Sequence, residues 1–361
     1  MTKQKTILIC PMDWGLGHAT RVVPIIEVLL EEGARVIIGA DNKPLAFLKH
    51  RFPQCESVKI PGFQPSYQKK GSLALKMTAD IPQMLIESKK AHDLLEKIIK
   101  KMNVDAVISD SRYELYSNRV PTIFITHQLR IQTQGLLAAT RTTLQSILYG
   151  FIKKHNEVWI PDFETEPNLS GELSHVKRFP AKKVYFIGPL SRFQKLKNVV
   201  PSGKKYDVLC IMSGPEPQRT MLEDIFMKQA LETQLKTLIL SGKPGENSMV
   251  IKENVEIRSH VSDEEMASLI LSAGLVISRS GYTTLMDLAT LGKKAVYIPT
   301  PGQPEQIYLA DRLKQLGLYY TVSQKNFDLP TAFQQANQYD GMEVDNNYTL
   351  LKERLVKLLE S

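Results

Sequence analysis

Two short stretches of this chain combine the residue types needed to hold a charged ligand and to move a proton. The first, Gly15-Leu16-Gly17-His18-Ala19-Thr20-Arg21, follows an apolar run ending at Pro11 and opens a helical pattern. Gly15 and Gly17 let backbone amides approach a polar ligand closely. A neutral His18 at the first turn can accept a proton from a hydroxyl, although a histidine there can also simply cap or pack the turn. The second stretch, Arg279-Ser280-Gly281-Tyr282-Thr283-Thr284-Leu285-Met286-Asp287, lies between a short apolar run and a helical pattern closed by Gly292. A turn of this kind aims unpaired N–H groups and the positive end of a helix dipole at whatever lies above the sheet. Ser280, Gly281, Thr283 and Thr284 add hydroxyl or amide donors suited to phosphate, and their ordinary alternative role is N-capping.

These stretches need strands behind them, and the chain supplies two runs of alternating strand and helix. In the first, strands are expected at residues 6–11, 35–40, 56–60, 106–109, 122–126, 157–161 and 184–187, with helices at 19–32 and about 73–102. The polar, basic segment 192–205, interrupted by Pro201-Ser202-Gly203, reads as a linker. The pattern then restarts with strands at 206–212, 237–241, 255–257, 275–278 and 294–299. Helices are expected at 220–231, at 262–273, where Ser262 and Glu265 form a capping box, at 282–291, and from the segment 301–306 onward. Strands separated by helices imply doubly wound, mostly parallel α/β sheets. The restart implies two Rossmann-like domains, at 1–190 and 204–340, with a helix at 345–361 that packs back on the first. Their carboxyl-end loops are expected to face each other across a cleft.

Composition sets the surroundings. A length of 361 residues suits two cores better than one. Cys10, Cys55 and Cys210 have no motif spacing, so they read as small hydrophobes in a reducing compartment. No segment reads as a signal peptide or membrane span, which leads to the expectation of a cytoplasmic protein. Net charge is +8, but residues 1–200 carry 29 Lys or Arg against 18 Asp or Glu, whereas residues 201–361 carry 17 against 20. Lys69, Lys70, Lys76, Lys89, Lys90, Lys97, Lys100 and Lys101 concentrate the excess in a region that is either a solvated face or a contact for an anionic membrane surface. The 136–154 stretch, apolar and ending in Lys153-Lys154, is a second such contact. A nucleic-acid partner is not expected, because no aromatic-interleaved basic strand accompanies the charge.

The two motifs, with Pro301 through Gln306, resemble those of GT-B glycosyltransferases of family 28, the group of the lipid-linked N-acetylglucosaminyltransferase of peptidoglycan synthesis. The resemblance spans both halves, is strongest over 255–317 and is weak over about 60–200. It implies a GT-B fold in which the first domain's Gly-rich loop presents His18 as catalytic base and the second domain binds a UDP-sugar. It assigns Ser213-Gly214 to the diphosphate loop, where Pro215-Glu216-Pro217 departs from the usual small residues. It also assigns His260 and Val261 to the base pocket, Arg279 to Thr284 to the phosphate turn and Asp287 to the ribose hydroxyls, where the family usually has Glu. Gln306, with Glu305 beside it, is assigned to the donor sugar, and Ile307 replaces a second glutamine.

The expected function is therefore inverting transfer of N-acetylglucosamine or a related hexose from a UDP donor to a hydroxyl acceptor, with a lipid-linked acceptor or a glycan in view. A peripheral association with the inner face of the cell membrane goes with that reading. No cofactor beyond the donor substrate is expected, and no metal, since the chain has neither an Asp-x-Asp pair nor zinc spacing. Two alternatives use the same scaffold: a nucleotide-sugar hydrolase, because the UDP-sugar hydrolases of pseudaminic acid synthesis share a GxGHxxR-like loop, and a non-catalytic nucleotide-sugar-binding module. An NAD-dependent oxidoreductase ranks lower, because His18 and Arg21 crowd the turn where the dinucleotide fingerprint needs small residues. Asp110, Arg112, His127 and Gln128, at strand ends of the first half, are further candidates for the acceptor side.

Overall fold

The computed structural model describes residues 4–62, 81–132, 141–177, 179, 183–201, 205–243, 248–344 and 347–361. Among them the chain forms two compact units, the first running to Leu190 and taking back residues 347–361, the second beginning at Ser191.

The first unit is a seven-stranded parallel sheet: β1 (Thr6–Pro11), β2 (Arg35–Ala40), β3 (Glu56–Lys59), β4 (Ala106–Asp110), β5 (Thr122–Ile125), β6 (Glu157–Ile160) and β7 (Val184–Phe186), in the order β3-β2-β1-β4-β5-β6-β7. The central strands are apolar on both faces because helices cover both sides, as parallel sheets require. The helices are α1 (Leu16–Arg21), α2 (Val23–Glu31), α3 (Asn42–Arg51), α4 (Ile81–Met102) and α5 (Arg141–Ile152). Where one helix is expected over 19–32, the structure has two. Pro24, at the start of α2, has no N–H to continue the ladder from α1, so the chain breaks at Val22. The part of the expected 73–102 helix before residue 81 lies outside the described residues.

The second unit has strands β8 (Val208–Ile211), β9 (Thr237–Leu240), β10 (Met249–Lys252), β11 (Val255–Arg258), β12 (Leu275–Ser278), β13 (Ala295–Tyr297) and β14 (Tyr320–Thr321), ordered β10-β11-β9-β8-β12-β13-β14. All pairs are parallel except the β10–β11 hairpin. Its helices are α6 (Gln218–Leu231), α7 (Asp263–Ser272), α8 (Tyr282–Thr290), α9 (Pro304–Gln315) and α10 (Leu329–Gln335). The expected capping box is present on one side, with Ser262 Oγ accepting from Glu265 N at 3.2 Å. The last helix, α11 (Thr349–Glu360), returns to the first unit, where Lys352 pairs with Glu32 at 2.7 Å and Arg354 with Glu157 at 2.6 Å. The start of the segment expected as a linker is built into the second unit: Phe193 is buried, and Arg192 pairs with Asp263 at 2.7 Å.

Candidate functional site

In each sheet the strand order reverses once, beside β1 and β4 in the first and beside β8 and β12 in the second. At such a point the loops leaving adjacent strands part to opposite sides and open a crevice at the carboxyl ends. Both motifs lie there.

In the first unit, Gly15 begins the turn after β1 with φ 117° and ψ 179°, a conformation that suits glycine and starts α1 at once. His18 and Arg21 are three residues apart on α1 and so share a face. Asp110, the last residue of β4, is fully buried opposite them. His18 Nδ1 lies 2.9 Å from Asp110 Oδ2, Arg21 Nε donates to the same oxygen at 3.2 Å, and Arg21 Nη2 donates to Asp110 Oδ1. Arg21 Nη1 reaches Nδ1 of His127, in the turn after β5, at 2.9 Å, and Arg21 Nη2 lies 2.8 Å from His18 Nδ1. Burial by itself would raise the Asp110 carboxyl, but Arg21 and His18 beside it hold it at about 2, so it is an anion at every physiological pH. His18 is pushed below its ordinary value, first by burial and then by Arg21 and His127, with Asp110 working against them. About a fifth of the His18 side chain stays exposed, so the ring is reachable.

This arrangement sorts the candidates on the acceptor side. Asp110 and His127 join His18. Arg112 turns away: it pairs with Glu114 at 2.6 Å and donates to the carbonyls of Ile60 and Pro61 at 3.2 and 2.8 Å, which ties the end of β3 to that of β4. Gln128 donates its backbone N–H to Thr126 Oγ1 at 3.0 Å, a bond within the turn after β5. Arg21 joins the cluster as well, and its sequence signal is the three-residue spacing from His18.

In the second unit the turns after β8, β12 and β13 carry the motif residues. Gly214, at φ 103°, packs toward Thr300, whose Oγ1 would lie 3.6 Å from a Cβ built there. Ser280 Oγ donates to the Gln306 carbonyl at 2.8 Å, and Gln306 Oε1 accepts from Thr300 N at 2.8 Å, so the two later turns are stitched together. Gly281 has ordinary extended backbone, and an added Cβ would meet nothing within 4 Å. The N-terminus of α8 is thus open at Gly281, with Thr283 and Thr284 partly exposed behind it. In the departure from the small-residue loop, Glu216 accepts from Thr220 and Arg219 at the start of α6.

Two assigned residues are turned inward. Arg279 is fully buried and donates to the carbonyls of Ile298, Pro299 and Gln218 and to Gln324 Oε1, so its guanidinium braces the turn from beneath. Asp287 is buried on α8, where its Oδ1 accepts from Ser191 Oγ at 2.7 Å and its Oδ2 lies 3.8 Å from Arg192 Nε. Burial raises this carboxyl to about 6 against the opposing pull of Arg192 and Ser191. Val261 is buried just past β11, and His260 beside it is exposed. Among the described residues no cluster of three or more His, Cys, Asp or Glu is placed to hold a metal ion. No helix among them is long and apolar enough to cross a membrane.

Residues 193–349 match the glycosyltransferase family 28 C-terminal domain. A UDP-N-acetylglucosamine--N-acetylmuramyl-(pentapeptide) pyrophosphoryl-undecaprenol N-acetylglucosamine transferase from Histophilus somni is 23% identical over 374 residues, covering 100% of this chain and 93% of the relative. The protein of the same name from a Sulfurihydrogenibium species is 27% identical over 155 residues, covering 42% of this chain and 44% of the relative. The chain therefore spans under half the length of that relative, and it spans 61% of the length of a Nitratiruptor one. Among solved structures, the glycotransferase of kitacinnamycin superposes with a TM-score of 0.65 at 15% identity, covering 100% of this chain and 95% of that one. MurG of Acinetobacter baumannii superposes with a TM-score of 0.53 at 16% identity, covering 99% and 95%. These likenesses show a two-domain α/β fold of the GT-B kind, and residues 193–349 carry a match to the glycosyltransferase family 28 C-terminal domain.

Proposed function

We propose that this protein transfers a hexose, N-acetylglucosamine or a close relative, from a UDP donor to a hydroxyl acceptor with inversion at the anomeric carbon. The observation that carries the reading is the His18–Asp110 pair at the switch point of the first sheet, in a chain whose second unit matches the family 28 domain. With its Nδ1 proton directed at Asp110, His18 keeps Nε2 bare. As the acceptor oxygen bonds to the anomeric carbon, its proton passes to Nε2, and the bond from that carbon to the UDP oxygen breaks with its electron pair leaving on UDP. The open N-terminus of α8 at Gly281, with Ser213-Gly214 and the hydroxyls of Thr283 and Thr284, supplies donors for the departing diphosphate. Gln306 and Glu305 face the sugar in this reading, and His260 and Val261 face the base. The relatives' names specify a UDP-N-acetylglucosamine donor and an undecaprenol-linked acceptor, which makes a lipid-linked acceptor the first to try.

The test is UDP release from a panel of UDP-sugars with and without candidate acceptors, in wild type and His18→Ala. Acceptor-dependent release that falls by about a hundredfold in His18→Ala is expected. Rapid release of free sugar with no acceptor would replace this reading with the hydrolase.

A further inference from the structure

We propose that Arg21 is a positioning residue that keeps His18 uncharged and fixes the carboxylate that orients it. The proposal rests on the reading of His18 as the base and extends it to a residue with no assigned role. Three groups that titrate or carry charge face the His18 ring: Arg21 from the same helix, Asp110 from the end of β4, and His127 from the turn after β5. Arg21 touches all of them from a position only 1% exposed.

A guanidinium has five donors and no acceptor, which constrains the arrangement. Each Asp110 oxygen receives a bond from Arg21, so the carboxylate cannot rotate and its Oδ2 stays in line with His18 Nδ1. Nη1 needs a lone pair, which His127 Nδ1 provides. Nη2 lies 2.8 Å from the same His18 nitrogen that faces Asp110, and a proton on that nitrogen can serve the carboxylate while the guanidinium opposes any further positive charge on the ring. One anion and one cation thus face His18 at equal range, and their effects on its charge oppose each other. Without Arg21, the Asp110 carboxylate would face the ring in a buried setting with no guanidinium to oppose it and would draw a second proton onto it, giving an imidazolium that cannot act as a base. Lysine is a poor substitute, because one ammonium cannot reach both carboxylate oxygens and His127 together.

The experiment is an imidazole 1H–15N titration of the ligand-free full-length protein, with His18 assigned through His18→Gln, in wild type, Arg21→Gln and Arg21→Lys. It is run beside the pH profile of UDP release from the donor. The His18 midpoint is expected to rise by about one pH unit or more in Arg21→Gln and by less in Arg21→Lys. The acid limb of the rate profile should move by the same amount, with turnover recovering toward high pH and the donor KM little changed. A midpoint unmoved in folded Arg21→Gln overturns the proposal. So does a rate loss of equal size at every pH, which is what a purely structural role would give. Should Arg21→Gln not fold, Arg21→Lys decides by the same criterion. The titration needs no substrate, so a protein without UDP-sugar turnover but with the expected rise in midpoint would overturn the functional reading and leave the role of Arg21 standing.

Discussion

Asp287 keeps its proton into a pH range where an ordinary carboxylate has lost it, because burial on α8 raises it to about 6. The motif predicts a carboxylate on α8 for a ribose diol, yet the structure gives one of its oxygens to Ser191 and buries it enough to raise the carboxyl to about 6. Ser191 lies 96 positions away in sequence, at the start of the second unit, and no local spacing announces it. The raised value has a consequence for stability. Between about pH 4 and pH 6 the folded protein holds a proton that the unfolded chain has released, so the contribution is fully present below about pH 4 and is lost as pH rises through 6. Asp287→Asn keeps the Ser191 bond and removes the buried charge. It is expected to raise the melting temperature at pH 7.5, by an amount equivalent to about 1 to 3 kcal/mol, and to change it little at pH 4. Equal shifts at both pH values would show that the buried charge carries no such cost. Asp287→Ala should also weaken UDP binding in titration calorimetry by about 1 to 3 kcal/mol if ribose displaces Ser191, and unchanged affinity would leave Asp287 as an anchor for the 191–193 segment.

At the scale of elements, the strands that carry the motifs follow directly from apolar runs: β1 and β12 have the bounds expected, because buried parallel strands are apolar throughout. The hairpin strand β10 gave no such signal. Its residues are all exposed, so no alternation marks it, and its turn uses Glu253 at φ 53°, a residue type that does not advertise a turn. The His18 cluster was half legible: the loop after β1 was evident, but which strand ends meet it depends on β4 lying next to β1, and strand order is not written in local sequence. The two turns also use glycine for different reasons. Gly15 occupies a backbone region other residues avoid, whereas Gly281 does not and has open space where a side chain would go. Gly281 leaves the α8 N-terminus uncovered, which is what the proposed diphosphate contact requires. Gly281→Ala is expected to fold with a cost of about 1 kcal/mol or less, since alanine is only a poorer N-cap, while UDP affinity falls at least tenfold because a methyl group now occupies the anion's approach. Unchanged affinity with an unchanged melting temperature would place the diphosphate elsewhere.

For the molecule as a whole, charge is the property that sequence conveys and structure redistributes. Most of the basic excess falls in the first 200 residues, where Lys59 pairs with Asp41, Arg35 with Glu56, Arg119 with Glu96, and Lys154 lies over Tyr116 and Phe151. Lys154, exposed just past the end of α5, packs its ammonium on those rings and donates to Tyr116 Oη at 3.0 Å. The early turns of α4 are different. Leu85 and Ile86 are 51% and 58% exposed, with exposed Lys89 and Lys90 one turn on, and this pairing of bare apolar and basic side chains suits an anionic lipid surface. A lipid-linked acceptor would bring the first unit to such a surface. The full-length protein is expected to co-sediment with vesicles containing phosphatidylglycerol and not with phosphatidylcholine alone, and to release them between about 0.1 and 0.5 M salt as the Debye length shortens. Replacing Leu85 and Ile86 with serine should weaken that binding without shifting the melting temperature, because neither side chain is part of the core. Binding equal on both lipids, or unaffected by salt and by the double substitution, would leave the charge as a solvated face and turn the search for an acceptor toward water-soluble hydroxyl compounds.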